Sequence, residues 1–372
     1  MKKILITGSY GFIGKNLLLR IPKKYFVYEF NRNNPIDDLK KLIISGEIDL
    51  IYHLAGENRP KNPAEFYYSN VFLTQEIADA IKKSNKIIPI IYSSSVQALL
   101  DNSYGNSKKK AEDVLGDLYQ RNKSGVLVYR LPGIFGKGCK PNYNSVVATF
   151  CHNYINNINV EIDDKERLLE LAYIDDVIDE LLVWIEQKLN GFKIVNLKNI
   201  YKIKLGELAE KISNFHNNRS NLIIDKVAFG IDRALYSTYI SNLSAENVSY
   251  SVLAHEDLRG KFFELFKSTI CGQISVFTIK PGVIRGGHYH HTKTEKFFVV
   301  KGEVKISHKS LFDNNCFYVV VSDKSPCIVD TIPGYAHQIQ NIGSDEAFII
   351  VWANEIFDED KPDTFAYKGL YD

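Results

Sequence analysis

The sequence predicts two folded parts in series, a doubly wound parallel α/β sheet followed by an all-β barrel. Three observations support this fold class: a length of 372 residues, an alternation of strand-like and helix-like segments in the first part, and a succession of strands without helices in the second. A single hydrophobic core stops growing at roughly 250–300 residues, so two domains are expected. We predict that they cover residues 1–243 and 244–372.

Charge and hydropathy exclude two classes of partner. The 46 Lys and Arg residues nearly balance the 44 Asp and Glu residues, and no basic run is present, so we expect neither nucleic acid nor a membrane as a partner. No apolar window of about 18 residues occurs. The apolar run after Lys2 and Lys3 breaks at Gly8, which predicts a first strand and not a signal peptide. We therefore expect a cytoplasmic protein whose partners are small molecules and copies of itself.

The first part contains β-branched and aromatic runs of strand length, which alternate with amphipathic segments of helical spacing. Such alternation predicts a parallel sheet that is covered by helices on both faces. The strand-like runs lie at 3–8, 25–30, 49–56, 87–95 and 126–136. The helix-like segments lie at 35–45, 64–84 and 104–122.

The second part follows a segment at 236–257 that lacks strong periodicity and predicts a connector. Strand-like segments then recur without helices, which predicts an antiparallel barrel or sandwich. These segments lie at 272–282, 297–308, 316–323 and 347–357.

A glycine-rich loop, GSYGFIG, follows the first strand and opens a helix at Phe12 and Ile13. Side chains at Gly8, Gly11 or Gly14 would block the approach of the backbone to a pyrophosphate, whose charge the helix N-terminal amides meet. The loop therefore predicts dinucleotide binding.

The coenzyme is predicted from the end of the second strand. An acidic residue there would bind the ribose hydroxyls of NAD, but the sequence has FNRNN. Arg32 can pair with a 2′-phosphate, which favours NADPH. A solvated surface arginine is the alternative interpretation.

Tyr104 and Lys108 lie four residues apart at the start of a predicted helix, so they share one face. An ammonium beside a phenol lowers the pKa of the phenol, which can then exchange a proton with a substrate oxygen during hydride transfer. The run Ser93-Ser94-Ser95 ends the preceding strand and offers a hydroxyl to the same oxygen. An exposed helix pair is the ordinary interpretation of this spacing when it occurs alone.

These motifs together resemble the extended short-chain dehydrogenases/reductases that act on nucleotide sugars, over roughly residues 1–240. The resemblance rests on GSYGFIG, HLAG at 53–56, Asn70 within YYSNV, the triple serine, YGNSK at 104–108, RLPGIFG at 130–136 and YIDDV at 173–177. It implies a Rossmann-type domain with Ser-Tyr-Lys reductase chemistry and a cofactor site that includes Leu54, Ala55, Gly56 and Asn70, besides Tyr104 and Lys108.

Two departures from the family pattern matter. Nine positions separate Ser95 from Tyr104, which is shorter than usual and leaves the catalytic serine open between Ser94 and Ser95. Val96 and Gln97 stand where the related 4,6-dehydratases have an Asp-Glu pair, which favours ketone reduction over elimination of water.

The second part matches both cupin motifs and is therefore predicted as a jelly-roll barrel. The first motif comprises Gly282, His288, His290, Glu295 and Gly302, and the second comprises Pro333, Gly334, His337 and Asn341. His288 and His290 project to one face of a strand, and Glu295 and His337 can converge on the same interior. Three imidazoles and a carboxylate suit a divalent metal; zinc is expected, with iron and manganese as alternatives. His291 and His308 receive no role.

The metal has two alternative roles. It can act as a Lewis acid on a sugar ketone and stabilise the enolate that an epimerase forms, or it can hold the barrel together. No proton-transfer base is predicted, because His288 and His290 cannot be metal ligands and free bases at once.

Over the whole chain, the sequence resembles bifunctional enzymes of capsular polysaccharide synthesis in which such a reductase is fused to a cupin. The resemblance implies a homodimer whose cupin epimerises carbon 3 of a UDP-4-keto-6-deoxy-N-acetylhexosamine. The reductase then uses NADPH at carbon 4 to give UDP-N-acetyl-6-deoxy-L-talosamine, a precursor of N-acetyl-L-fucosamine. The alternatives are a monofunctional NADPH-dependent reductase with a structural or dimerising cupin, and a cofactor-sensing regulator without catalysis.

Overall fold

The structure is a computed structural model that describes residues 1–60, 62–257, 260–263, 266, 272–355, 358 and 360–370. It divides into two compact units. The first unit comprises residues 1–134 and 170–202, and the second comprises residues 135–169 and 203–372. Because these units interleave along the chain, they do not correspond to a single cut, and the predicted division after residue 243 stays a prediction.

The elements up to residue 241 are helices and strands in alternation. In chain order they are β1 (Lys3–Thr7), α1 (Phe12–Arg20), β2 (Phe26–Phe30), α2 (Ile36–Ile44), β3 (Leu50–His53), α3 (Ala64–Phe66), a π-helix (Tyr67–Phe72), α4 (Leu73–Lys83), β4 (Ile90–Ser95), a 3₁₀-helix (Val96–Leu99), α5 (Ser103–Asn122), β5 (Val126–Leu131), β6 (Gly133–Phe135), α6 (Val146–Ile155), β7 (Leu168–Tyr173), α7 (Ile174–Val183), β8 (Phe192–Val195), β9 (Tyr201–Lys204), α8 (Leu205–Asn221) and α9 (Gly230–Ser241).

The elements after residue 241 are strands. They are β10 (Ser249–Ser251), β11 (Ala254–Asp257), β12 (Gly260–Phe263), β13 (Gln273–Ile279), β14 (Ile284–Tyr289), β15 (Glu295–Lys301), β16 (Glu303–Ser310), β17 (Cys316–Ser322), β18 (Cys327–Asp330), β19 (Tyr335–Asn341), β20 (Ala347–Ala353) and β21 (Phe365–Ala366).

The first unit is built on a parallel sheet of six strands in the order β2-β1-β3-β4-β5-β8. Helices α2, α4 and α5 pack side by side, and α1 packs with α7. Leu5, Ile51, Ile81, Leu115 and Val128 lie in one buried core cluster. This arrangement confirms the predicted doubly wound sheet. The strand order changes direction between β1 and β3, and in such folds ligands bind at the carboxyl ends of the strands beside that point.

The second unit contains two five-stranded antiparallel sheets, β10-β18-β15-β20-β13 and β17-β16-β19-β14-β21. Their core includes Ile279, Phe297 and Ile349 of the first sheet and Ile306 and Ile339 of the second, so it lies between the sheets. This sandwich confirms the predicted all-β fold of the second part.

The structure differs from the sequence prediction in several segments. The predicted strand 126–136 contains two strands of different sheets, β5 and β6, and the predicted connector 236–257 contains β10 and β11. The predicted strand segment 297–308 contains two strands, β15 and β16, which are separated at Gly302 and belong to different sheets. The predicted helix 64–84 contains the π-helix. The predicted connector 236–257 begins inside α9, whose residues 234–240 are all buried. A helix buried on every side has no polar face, so it shows no amphipathic periodicity. Residues 356 and 357 of the predicted strand 347–357 lie outside the described residues.

No helix within the described residues combines the length and the apolar character needed to span a membrane.

A buried ion cluster links α8 to the barrel strands of the second unit. Asp330 accepts from Lys296 at 2.5 Å and from the guanidinium of Arg219. The ring of Tyr250 lies 4.4 Å from the Arg219 Cζ and 5.3 Å from the Lys296 Nζ. One carboxylate therefore compensates two cations that have little access to water.

We predict that Asp330→Asn destabilises the second unit by roughly 3–5 kcal/mol, because two buried cations lose their counter-charge. The measurement is urea unfolding of the full chain in a Trp184→Phe background, in which the fluorescence of Trp352 reports the second unit. Glu166→Gln removes an exposed partner of Lys204 and should leave the midpoint unchanged. Equal midpoints for the two variants would contradict the prediction.

Candidate active site and metal centre

The glycine loop lies at the carboxyl end of β1 and leads into α1. Gly8 has a positive φ of 71°, and a Cβ atom there would lie 2.7 Å from the backbone nitrogen of Ala55, so a side chain is excluded. Gly11 caps α1 without a side-chain hydrogen bond, and the first turn, with Phe12, Ile13 and Gly14, contains no acidic residue. The first amides of α1 therefore fit a negatively charged group such as a pyrophosphate.

The segment after β3 lies against this loop. The Leu54 amide donates to the Thr7 carbonyl at 3.1 Å. Gly56 lies close to both Asn70 and Lys108, because a Cβ atom at Gly56 would be 2.7 Å from the Asn70 Oδ1 and 3.0 Å from the Lys108 Nζ. The structure thus brings together residues of the predicted cofactor site that are far apart in the sequence.

Asn70 is positioned by the π-helix, a turn with one residue more than an α-helical turn. Its buried side chain accepts from the Glu57 amide at 2.9 Å and donates to the Glu57 carbonyl at 3.0 Å. It also donates to the Ser107 hydroxyl at 2.9 Å, which in turn donates to the Tyr104 carbonyl at 2.7 Å. Asn70 therefore fixes the loop after β3 to the first turn of α5.

Arg32 follows β2, and its side chain is 84% exposed. Its Nη2 lies 3.1 Å from the Glu57 Oε2, and Glu57 is itself held by the amides of Asn58 and Arg59. The guanidinium is thus fixed from one side at the end of the strand. Glu57 was not predicted from the sequence.

Tyr104 and Lys108 lie on the first two turns of α5, whose N-terminus is capped by the Asn102 side chain, which accepts from the Gly105 amide at 2.8 Å. The Lys108 Nζ donates to the Ser93 carbonyl at 2.9 Å and lies 4.9 Å from the centre of the Tyr92 ring. Burial lowers the pKa of Lys108 to about 8. Lys108 is therefore buried, whereas a tyrosine and a lysine with this spacing usually form an exposed pair on a helix surface.

The triple serine ends β4, and its members have different partners. The Ser94 hydroxyl donates to the Glu112 Oε1 at 2.6 Å. The Ser95 hydroxyl accepts from the Gln97 amide at 3.2 Å and caps the 3₁₀-helix. Glu112 is in turn paired with Arg130 of β5, with distances of 3.0 and 2.6 Å. Ser94 therefore belongs to a buried charge network that was not predicted from the sequence. The one available signal was the position of Glu112, one helical turn after Lys108.

The predicted metal ligands converge in the second unit. His288 belongs to β14, His290 follows this strand directly, Glu295 begins β15 and His337 belongs to β19. One donor atom from each residue lies within 4.8 Å of the others. The Glu295 Oε2 is 3.2 Å from the His290 Nε2 and 3.3 Å from the His337 Nε2.

The electrostatics of this cluster suit a cation. Burial lowers the pKa of His288 to about 3 and lowers the pKa of His337 as well, so both imidazoles are neutral and can offer a lone pair. Burial opposes the charge of Glu295, but the hydrogen bond with His290 and the nearby ring of His337 hold its pKa well below the usual range. Within the described residues, the buried His337 Nδ1 and Nε2 have no hydrogen-bond partner. Three imidazoles and one carboxylate fit a divalent first-row metal ion.

Asp363 holds the segment that carries two of these ligands. Its carboxylate accepts from the amides of His291, Thr292 and Lys293 at 2.9, 2.6 and 2.7 Å. Its carbonyl oxygen lies 2.5 Å from the His290 Nδ1, a contact that directs the Nε2 atom of His290 toward the cluster. Asp363 was missed because it is about 70 residues away in sequence and belongs to no motif.

The two histidines without a predicted role lie near the cluster but do not belong to it. The His308 Nε2 lies 3.1 Å from the Asp330 carbonyl oxygen. The His291 ring packs 4.9 Å from that of Phe365.

Two family models match the chain. One, described as the NAD dependent epimerase/dehydratase family, matches residues 4–197. The other, described as the polysaccharide biosynthesis C-terminal domain, matches residues 255–365.

Relatives cover the chain almost completely. UDP-2-acetamido-2,6-beta-L-arabino-hexul-4-ose reductase of Pseudomonas aeruginosa is 42% identical over 366 residues, which are 98% of each protein. The crystal structure of the capsular polysaccharide assembling protein CapF from Staphylococcus aureus is similar with a TM-score of 0.66 and 37% identity, covering 98% of this chain and 99% of that one. UDP-glucuronic acid 4-epimerase from Bacillus cereus, at 18% identity and a TM-score of 0.51 over 58% of this chain and 84% of its own, shares the fold of the first part.

Proposed function

The chain belongs to the NAD dependent epimerase/dehydratase family, and from this premise we propose that it is a bifunctional nucleotide-sugar enzyme. Its substrate is a UDP-linked 4-keto-6-deoxy-N-acetylhexosamine. The metal-binding barrel inverts carbon 3, and the N-terminal part then reduces the ketone at carbon 4 to give UDP-N-acetyl-6-deoxy-L-talosamine.

One observation carries this proposal. The chain combines a buried Lys108, one turn after Tyr104, with a second cluster of three imidazoles and a carboxylate. It does so over the full length of a relative that is named as a reductase of a UDP-linked hexul-4-ose. A hexul-4-ose carries its ketone at carbon 4, which is the group that both steps require.

In the reduction, Tyr104 donates the proton of its hydroxyl to the carbonyl oxygen of the sugar as that oxygen becomes an alcohol. Lys108 favours this transfer, because its ammonium stabilises the phenolate that remains. NADPH, when bound at the glycine loop, supplies the hydride. Ser95 is the serine that we assign to the carbonyl oxygen, since the hydroxyl of Ser94 is engaged by Glu112.

In the epimerisation, His288, His290, Glu295 and His337 would hold the metal ion, which when bound supplies Lewis acidity toward the ketone oxygen. The C–H bond next to a ketone is acidic, and this acidity is lost when the ketone becomes an alcohol. Inversion at carbon 3 must therefore precede reduction at carbon 4. The hydrogen bonds of Asp363 support the proposal because they fix the segment that presents His290.

We predict that the two half-reactions separate in variants. In D₂O without NADPH, the full chain should incorporate deuterium into the keto sugar, and Glu295→Gln should abolish this exchange while Tyr104→Phe preserves it. Tyr104→Phe should instead slow NADPH oxidation by roughly 10²- to 10⁴-fold, the usual contribution of general acid catalysis. Product mass and NADPH absorbance are the measurements.

Tyr119→Phe, on the same helix, is the matched control and should behave as the unaltered protein. NADPH oxidation without deuterium exchange would favour a reductase with a structural barrel. Absence of both reactions would reject the proposed substrate.

We predict that Arg32 selects NADPH over NADH. A guanidinium has five N–H donors, so its contact with Glu57 leaves donors for a 2′-phosphate. Arg32→Ala should raise the KM for NADPH by roughly 10- to 100-fold, the value of a charged hydrogen bond, and should change the KM for NADH little. Arg121→Ala, at the other end of α5, is the control. An equal rise of both KM values would reject this role.

We predict that the purified chain contains about one divalent ion, with zinc expected, and that Glu295→Gln lowers this content together with the melting temperature. Elemental analysis by mass spectrometry and a thermal melt with and without a chelator are the measurements. Glu303→Gln, an exposed position on β16, is the control. Full metal content in Glu295→Gln would show that this carboxylate is not a ligand.

A further inference from the structure

Glu112 is a buried carboxylate, 1% exposed, that neither the reduction nor the epimerisation uses. Its two oxygens are occupied by Arg130 of β5 and by the Ser94 hydroxyl of β4. A carboxylate without water needs such partners, because an isolated buried charge is costly. These contacts explain how Glu112 remains charged inside the protein.

The position of Glu112 is set by Lys108, which precedes it by four residues on α5. Residues with this spacing are neighbours on one helix face, with Cβ atoms about 5–6 Å apart. The same face meets consecutive residues of β4: Lys108 donates to the Ser93 carbonyl at 2.9 Å, and Glu112 accepts from the Ser94 hydroxyl at 2.6 Å. The ammonium and the carboxylate are therefore both held at the end of β4, where the charge of Glu112 acts on Lys108.

Other groups around Lys108 are neutral or positive. The His53 ring on β3 is buried, and burial and Lys108 together hold its pKa at about 3, so it is neutral. The rings of Tyr92 on β4 and Tyr104 on α5 and the amide of Asn70 on the π-helix complete the surroundings. Arg130 contributes a positive charge behind Glu112. Within the described residues around Lys108, the negative charge comes from Glu112.

We propose that Glu112 is a positioning residue that keeps Lys108 cationic at neutral pH, and that Arg130 limits this effect. The proposal rests on the reductase function assigned to Tyr104 and Lys108. Because Arg130 neutralises part of the Glu112 charge, the Glu112–Arg130 pair determines how far the pKa of Lys108 is raised. The carboxylate has no contact with the substrate in this role and acts through Lys108 alone.

The direction of the effect follows from the charges. Burial lowers the pKa of Lys108 to about 8, and Glu112 opposes this decrease. The ammonium is present below this pKa and is lost as the pH rises through it. Neutralising Glu112 should therefore move the loss to lower pH, and neutralising Arg130 should move it to higher pH.

The test is a titration of Lys108 in the full chain by NMR of lysines labelled with ¹³C at Cε, in which Lys108→Met assigns the signal. Glu112→Gln should lower the midpoint by about one pH unit, and Arg130→Gln should raise it, as expected for charges at this separation. This readout needs no substrate, so it is independent of whether the proposed reaction occurs.

The pH profile of kcat for keto-sugar reduction is the second readout. The alkaline limb should shift down in Glu112→Gln, with about a five-fold loss at pH 8 for a shift of one unit, and should shift up in Arg130→Gln. Asp113→Asn removes an exposed carboxylate from the next position of α5 and should change neither readout.

Opposite shifts of the Lys108 midpoint support the proposal. Unchanged midpoints in both variants, or a loss of rate that is equal at every pH, would overturn it and leave a purely structural ion pair. If Glu112→Gln does not fold, Arg130→Gln alone decides, because an upward shift is expected only when the charge of Glu112 acts on Lys108.

Discussion

Glu112 contacts Arg130 on β5 and Ser94 on β4, and it lies one turn after Lys108 on α5. This contact joins two central strands of the parallel sheet to the helix that carries Tyr104. Each partner removes a charge or a polar group from water, so the loss of one partner leaves the others less well compensated. The candidate reductase site therefore depends on an ion pair that lies behind it. The second unit follows the same rule, with Asp330 between two buried cations.

The fold was predictable for those helices and strands whose apolar residues recur with a regular period. Strands β1 to β5 of the parallel sheet and β13, β17 and β20 of the second unit were predicted within a few residues of their observed starts, whereas β8 of the parallel sheet was not predicted. Helix α9 was missed because residues 234–240 are buried on all sides and show no period. The break at Gly302 was missed because one apolar pattern continues from β15 into β16, although the two strands belong to different sheets. In both cases the information lies in tertiary contacts and not in local spacing.

The candidate sites were predictable to the extent that they are encoded by short spacings. The cupin motif named His288, His290, Glu295 and His337, and the structure places them in one cluster. The residues that hold these site residues in place were not predictable. Asp363 and the partners of the serines come from distant segments, and three adjacent serines in a sequence are equivalent until the strand and helix that face them are known.

The π-helix at Tyr67–Phe72 has a consequence for how the chain can change by insertion and deletion. Each residue of an α-helix turns the chain by roughly 100°, and the wider π-turn absorbs one extra residue, so the helical segments on its two sides stay in phase with each other. The helix α4 continues from the π-turn with its apolar face in the core, so its phase is fixed. A deletion of one residue that converted the π-turn to α-helix would therefore preserve the packing of α4 and of the segment before the turn, but it would change which side chain of the turn faces Gly56. A change of length at this turn would thus alter the contacts made by Asn70 and leave the fold in place.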